Sequence, residues 1–178
     1  NTNYIINKVS NGHTLHFGND DPVVDGKLQY GGVKDLTIEF NGNMNPTAGS
    51  AIYINRYIHF KVENVQIREG VVGINIVGDG QVKISNCEMA FGNLQTSLQA
   101  GSAGIKLRRS QVASDDPNAI QDAADSLYYT EPNSVYISDT NIREFHATQY
   151  GYENGISVEA VDGLYLDNLH IDGGDNAA

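Results

Sequence analysis

Basic residues are scarce in this chain. Eleven Lys and Arg stand against 22 Asp and Glu, a formal charge of −11. Nucleic-acid binding rests on neutralising phosphates with basic side chains, so this balance argues against a nucleic-acid partner. It argues equally against an anionic membrane surface. The single cysteine, Cys87, excludes an internal disulfide framework. Its place in the repeat described below predicts a small core residue rather than a nucleophile. Tryptophan is absent, and no apolar run approaches membrane-spanning length, so no membrane insertion is expected. No cofactor and no metal ion are expected. The start, Asn1-Thr2-Asn3-Tyr4, lacks the Met and basic region of a signal peptide. The chain reads as an excised piece of a longer protein.

Glycine (19 residues), asparagine and tyrosine (ten residues) are abundant instead, which suits an exposed β protein. The 178 residues suffice for one domain with a substantial core. Two short patterns recur. The first is a small residue, then apolar, any, apolar: Ala51-Ile52-Tyr53-Ile54, Gly73-Ile74-Asn75-Ile76, Gly104-Ile105-Lys106-Leu107 and Gly155-Ile156-Ser157-Val158. The second alternates apolar and polar residues up to an Asn or Asp, with a further apolar residue three on. It reads Phe60 to Asn64 and Ile67, Val82 to Asn86 and Met89, Val135 to Asp139 and Ile142, and Leu164 to Asn168 and Ile171. From Ile52 to Asn64, Ile74 to Asn86 and Ile156 to Asn168 the step is 12 residues each time. Period-two alternation predicts strands with one buried face. Fixed-distance self-similarity predicts strands stacked in parallel, repeat on repeat.

The expected fold is therefore all-β, a solenoid of about five coils. Residues 1–21 are expected as an entry segment or cap, and 22–178 as coils, with Pro22-Val23-Val24 a degraded first motif. The recurring Asn or Asp is expected to mark a bend, because these residues tolerate left-handed backbone. One coil breaks the step. Between Ile105 and Asp139 lie 22 extra residues, an insertion over 109–134. Within it Asp116-Pro117 predicts a short helix, with Asp116 as N-cap and Pro117 as first helical residue.

The motifs Gly32-Val33-Lys34-Asp35-Leu36-Thr37-Ile38 and Val135 to Ile142 resemble the coils of the right-handed, single-stranded parallel β-helix of the pectin-lyase-like superfamily. The likeness covers 31–172 and is closest to bacteriophage tailspikes and polysaccharide depolymerases. It implies recognition, and depolymerisation by glycosidic bond cleavage, of a host surface polysaccharide by a homotrimer in the virion tail. A non-catalytic adhesin, a structural fibre segment and a secreted bacterial polysaccharide lyase are the alternatives. The polygalacturonase motif set is missing, and Gly12-His13-Thr14 does not supply it.

Stacking predicts outward columns: Tyr53, Asn75, Lys106, Ser157, and beside it Asn55, Val77, Arg108, Glu159. The insertion and the connections 90–103 and 143–154 flank them, so a groove is expected there. Carbohydrate binding needs aromatic faces and planar polar groups. Lys106, Tyr128, Tyr129, Tyr150, Tyr152 and Asn154 are the candidate substrate-binding residues. Hydrolysis needs two carboxylates, and lysis needs a cation and a base. Glu159, Glu153, Arg108 and His146 are the candidate catalytic residues. Simpler roles stand beside these: Arg108–Glu159 as a surface ion pair, His146 as a solvated side chain, and Tyr128-Tyr129 as packing. A further outward column, Lys61, Lys83, Tyr136, Tyr165, reads as a subunit contact or a ligand face.

Overall fold

The computed structural model describes residues 3–7, 12–18, 28–40, 48–91, 100–144 and 152–173. Fifteen strands run in order: β1 (Asn3–Asn7), β2 (Leu15–Gly18), β3 (Leu28–Phe40), β4 (Ser50–Asn55), β5 (Tyr57–Arg68), β6 (Val72–Val77), β7 (Gln81–Ser85) and β8 (Glu88–Phe91). They continue with β9 (Ala103–Arg108), β10 (Ser110–Val112), β11 (Ile120–Gln121), β12 (Tyr128–Thr130), β13 (Ser134–Glu144), β14 (Asn154–Val158) and β15 (Leu164–Asp172). The fold is all-β, with no helix among the described residues.

Two parallel sheets dominate. The larger runs β1-β3-β5-β7-β13-β15, with β8 alongside β7 pairing β5 and β13. The smaller runs β2-β4-β6-β9-β14. Outside the insertion, and with β7 and β8 taken as one interrupted strand, successive strands of the chain alternate between the two sheets and pair with the next member of their own sheet. Residues 3–7 and 15–18 thus extend one sheet each. Pro22-Val23-Val24 lies outside the described residues.

The register follows the repeat. Ile52 stands opposite Ile74, Ile74 opposite Ile105, and Ile105 opposite Ile156. In the larger sheet Val62, Ile84, Ile137 and Leu166 align in the same way. Between the sheets these aliphatic ladders form one core, with Ile52, Ile74, Val62, Ile84 and Ile105 fully buried, while Leu166 on the last strand is exposed. Each contributes about 1.5–3 kcal/mol by leaving water. Cys87 belongs to this core, and burial pushes its thiol pKa up. The small residue opening the first motif has a steric cause. A Cβ on Gly104 would lie 2.5 Å from Cγ2 of Ile142, and one on Gly155 equally close to Cγ2 of Ile171.

The motif Asn and Asp residues form the expected bend. Asp35, Asn64, Asn86, Asp139 and Asn168 all have φ between 47° and 54°. Their side chains form a ladder: Asn64 Nδ2 donates to Asp35 Oδ1 (2.7 Å), Asn86 Nδ2 to Asn64 Oδ1 (3.4 Å), and Asn168 Nδ2 to Asp139 Oδ1 (2.7 Å).

The insertion differs from its expected form. It is a three-stranded antiparallel sheet, β10-β12-β11, and contains no helix. Its acids bend the backbone instead of capping a helix. Asp116, Asp122 and Asp125 each accept, through Oδ1, the backbone N–H two residues on: Asn118 (2.9 Å), Ala124 (2.8 Å) and Leu127 (2.8 Å). Such local bonds compete directly with helix formation.

Candidate functional site

Stacking places Tyr53 opposite Asn75, Asn75 opposite Lys106 and Lys106 opposite Ser157, as the spacing predicts. The column is less open than expected, because Asn75, Asn55 and Val77 are buried. The chain leaves the smaller sheet at Arg108, the last residue of β9, and β10 begins the insertion two residues later.

The insertion is fastened by buried charge. Arg56, next to β4, is 3% exposed. Its Nη2 lies 2.5 Å from Asp116 Oδ2, and its Nε 3.6 Å from Asp79 Oδ1. Asn118 Nδ2 donates to Asp79 Oδ2 (3.0 Å), and the Asp79 N–H donates to Thr130 Oγ1 (3.2 Å). Arg56 and Asp79 together therefore tie the β10–β11 turn and β12 to the sheet below, Arg56 holding the turn and Asp79 holding both.

A recess of about 320 Å³ opens in the fastened insertion, lined by Arg109, Ile120 to Ala123 and Tyr129 to Glu131. Arg109 is its centre. Its Nη1 donates to Asp122 Oδ2, its Nε lies 3.4 Å from Glu159 Oε1, and its guanidinium carbon sits 4.1 Å above the Tyr129 ring. The Tyr129 hydroxyl donates to Asp125 Oδ2 (2.6 Å). The charges hold one another in place. The backbone N–H of Ala124, and then the bond from Arg109, lower the Asp122 pKa. The same Asp122 bond raises the Arg109 pKa, and the Asp125 carboxylate raises that of Tyr129. The arrangement presents a flat cation on an aromatic face, paired with the carboxylates of Asp122 and Glu159. A guanidinium has five N–H donors, so some remain for a ligand.

The expected site residues divide into groups. Tyr129 and Glu159 meet at Arg109. Glu159 stands opposite Arg108 as the stacking predicts, its N–H donating to the Leu107 carbonyl (2.9 Å), but the ion pair is corrected: the partner of Glu159 is Arg109 (3.4 Å). Tyr128 is on β12, opposite Val112 and Gln121. Lys106 and Glu153 meet elsewhere, at Gly101. Lys106 Nζ donates to the Gly101 carbonyl (3.3 Å), and Glu153 Oε2 accepts the Gly101 N–H (2.5 Å). Asn154 is exposed at the start of β14. Tyr152 is corrected from the surface to the core. It is 1% exposed, its ring meets Phe91 edge-on, and its hydroxyl donates to the Asp172 carbonyl (2.8 Å). His146 and Tyr150 lie outside the described residues. Arg109, Asp122 and Asp125 were not among the expected site residues.

No protein-family model matches this chain, and no curated protein matches it in sequence.

Proposed function

We propose that this chain is a glycan-recognising segment of a stacked-coil solenoid of the right-handed parallel β-helix kind, and that the Arg109 recess is its sugar site. The observation that carries the reading is the Arg109–Tyr129 platform flanked by Asp122 and Glu159. Sugar rings offer CH faces to an aromatic ring and hydroxyls to planar polar groups. Ionised carboxylates beside a guanidinium supply both acceptors and donors for those hydroxyls. Alternation between two parallel sheets with in-register ladders supports the solenoid part of the reading.

Recognition fits this electrostatic arrangement better than hydrolysis. A general acid must keep its proton near working pH, and Asp122 is shifted the other way. One observation favours a cutting site as a second reading. Glu159, half exposed, shares Arg109 with Asp122, so two carboxylates meet at one cation of the recess wall. On either reading the protein acts outside the cell, as a homotrimeric virion tail protein of the tailspike kind or as a secreted one.

The test is a panel of bacterial surface polysaccharides, read for affinity and for polymer length. Recognition predicts binding of at least one polymer with its length unchanged. Depolymerisation predicts shortening that Glu159→Gln abolishes. Failure to bind any member of the panel would sink both readings.

A further inference from the structure

Charge on the outer face of the larger sheet follows a rule. Lys34 pairs with Glu63 (2.8 Å), Arg143 with Glu88 (2.5 Å) and Arg68 with Glu39 (3.9 Å), each across neighbouring strands. One column departs from it. Gly32, Lys61, Lys83, Tyr136 and Tyr165 stand opposite one another on successive strands β3, β5, β7, β13 and β15. Both lysines are exposed, and neither makes an ion pair with any described residue. Like charges set directly opposite are destabilising. A chain with twice as many acids as bases has thus placed two of its few cations together without a counter-ion.

Aromatic pairs bracket these lysines. On one side Tyr136 and Tyr165 are 45% and 55% exposed, with rings stacked at 4.5 Å and 6°. On the other, Tyr30 is 75% exposed and stacks on His59 at 5.1 Å. Tyr30 and His59 both hold left-handed backbone, at φ 57° and 58°, which bulky residues rarely adopt. Between this pair and Lys61, Gly31 and Gly32 leave a recess of about 570 Å³.

We infer that this strip is a second binding site, for an extended polysaccharide bearing carboxylates. A sugar ring lies in the Gly31–Gly32 recess against Tyr30 and His59. Its carboxylate reaches Lys61 and Lys83 and removes their mutual repulsion, and the next sugars run along the strands toward Tyr136 and Tyr165. The strip is one residue wide per strand. The row beside it, Lys34, Glu63, Ser85, Ser138 and Asp167, is wholly polar. A stable protein interface needs a broad patch with an apolar centre, so a linear acidic glycan fits better than a second copy of this chain. The strip shares no residue with the Arg109 recess and does not depend on it.

The experiment titrates the full chain with hyaluronate, alginate and neutral dextran. The wild type should bind at least one acidic polymer, should not bind dextran, and should weaken as salt rises. The double variant K61Q/K83Q should lose about tenfold in affinity. Its melting temperature should be unchanged or higher, because the repulsion is gone. Arg143→Gln, which removes a paired cation of the same sheet outside the strip, should leave acidic-polymer binding intact. Undiminished binding by K61Q/K83Q, equal binding of dextran, or loss of acidic-polymer binding in Arg143→Gln would overturn the proposal. So would failure to bind either acidic polymer. Self-association of the wild type that K61Q/K83Q abolishes would also overturn it, by assigning the strip to contact between copies.

Discussion

Replacing Arg56 by methionine should detach the insertion. Arg56, Asp79 and Asp116 have side chains 3%, 2% and 5% exposed. At 3.6 Å and an effective dielectric of about 20, the gross attraction of Arg56 to Asp79 is about 5 kcal/mol. Desolvation of the charges offsets most of this, so the intact group contributes little net stability. Removing the cation alone is different, because two carboxylates then stay buried without it. That loss costs about 3–5 kcal/mol. Methionine keeps the volume and leaves the left-handed backbone at Arg56 (φ 53°) as it was. Urea unfolding would report the cost, and limited proteolysis would locate it, with new cleavage confined to 109–134. Adding Asp79→Asn and Asp116→Asn should recover most of the stability, because no charge then remains buried. A variant within about 0.5 kcal/mol of wild type, with the insertion still protected, would refute the reasoning.

Other perturbations test separate parts of the account. Asn64→Ala should cost about 2 kcal/mol, from left-handed strain and lost ladder bonds to Asp35 and Asn86. Asn64→Gly should cost less, and urea midpoints would rank the two. Tyr152→Phe removes the bond to the Asp172 carbonyl, about 1 kcal/mol at neutral pH. Burial, with Glu144 and Asp172 nearby, pushes the Tyr152 pKa up to about 12. The unfolded phenol ionises near pH 10, so wild-type stability should fall between about pH 10 and 12 and Tyr152→Phe should fall less. Asp122 has its pKa lowered on folding. Its contribution is present above the unfolded value near pH 4 and is lost as pH falls through the folded one. The difference in urea midpoint between wild type and Asp122→Asn should therefore shrink below about pH 4.

The scaffold was legible because period-two alternation and a fixed 12-residue step constrain register. Once Ile52, Ile74, Ile105 and Ile156 must share one ladder, Tyr53, Asn75, Lys106 and Ser157 must share another. The bends were legible because only a few residue types accept positive φ. The insertion carries no repeat, and there the reading failed for local reasons. Asp116 before Pro117 has the chemistry of a helix cap, yet that carboxylate also serves an Asx turn and a buried arginine. The alternation set Glu159 beside Arg108, where the backbone ladder places it, but it says nothing of Arg109, the first residue after β9, whose guanidinium takes the Glu159 carboxylate. Tyr152 gave no sign of burial, because an aromatic residue outside a regular strand has no periodicity to show its face. Of the acids of the insertion only Asp116 has a role legible in the sequence, as a cap, and only the fold shows that Asp122 and Asp125 converge on Arg109 and Tyr129.

The central claim is that the Arg109 recess holds a sugar. Its most direct test is calorimetric titration of the polysaccharide fragment that binds best, against wild type, Arg109→Ala and Tyr129→Ala, with the fold of each checked by urea unfolding. The account predicts a loss of about tenfold or more in affinity for each variant, with the two sheets intact. Wild-type affinity in both variants would contradict it.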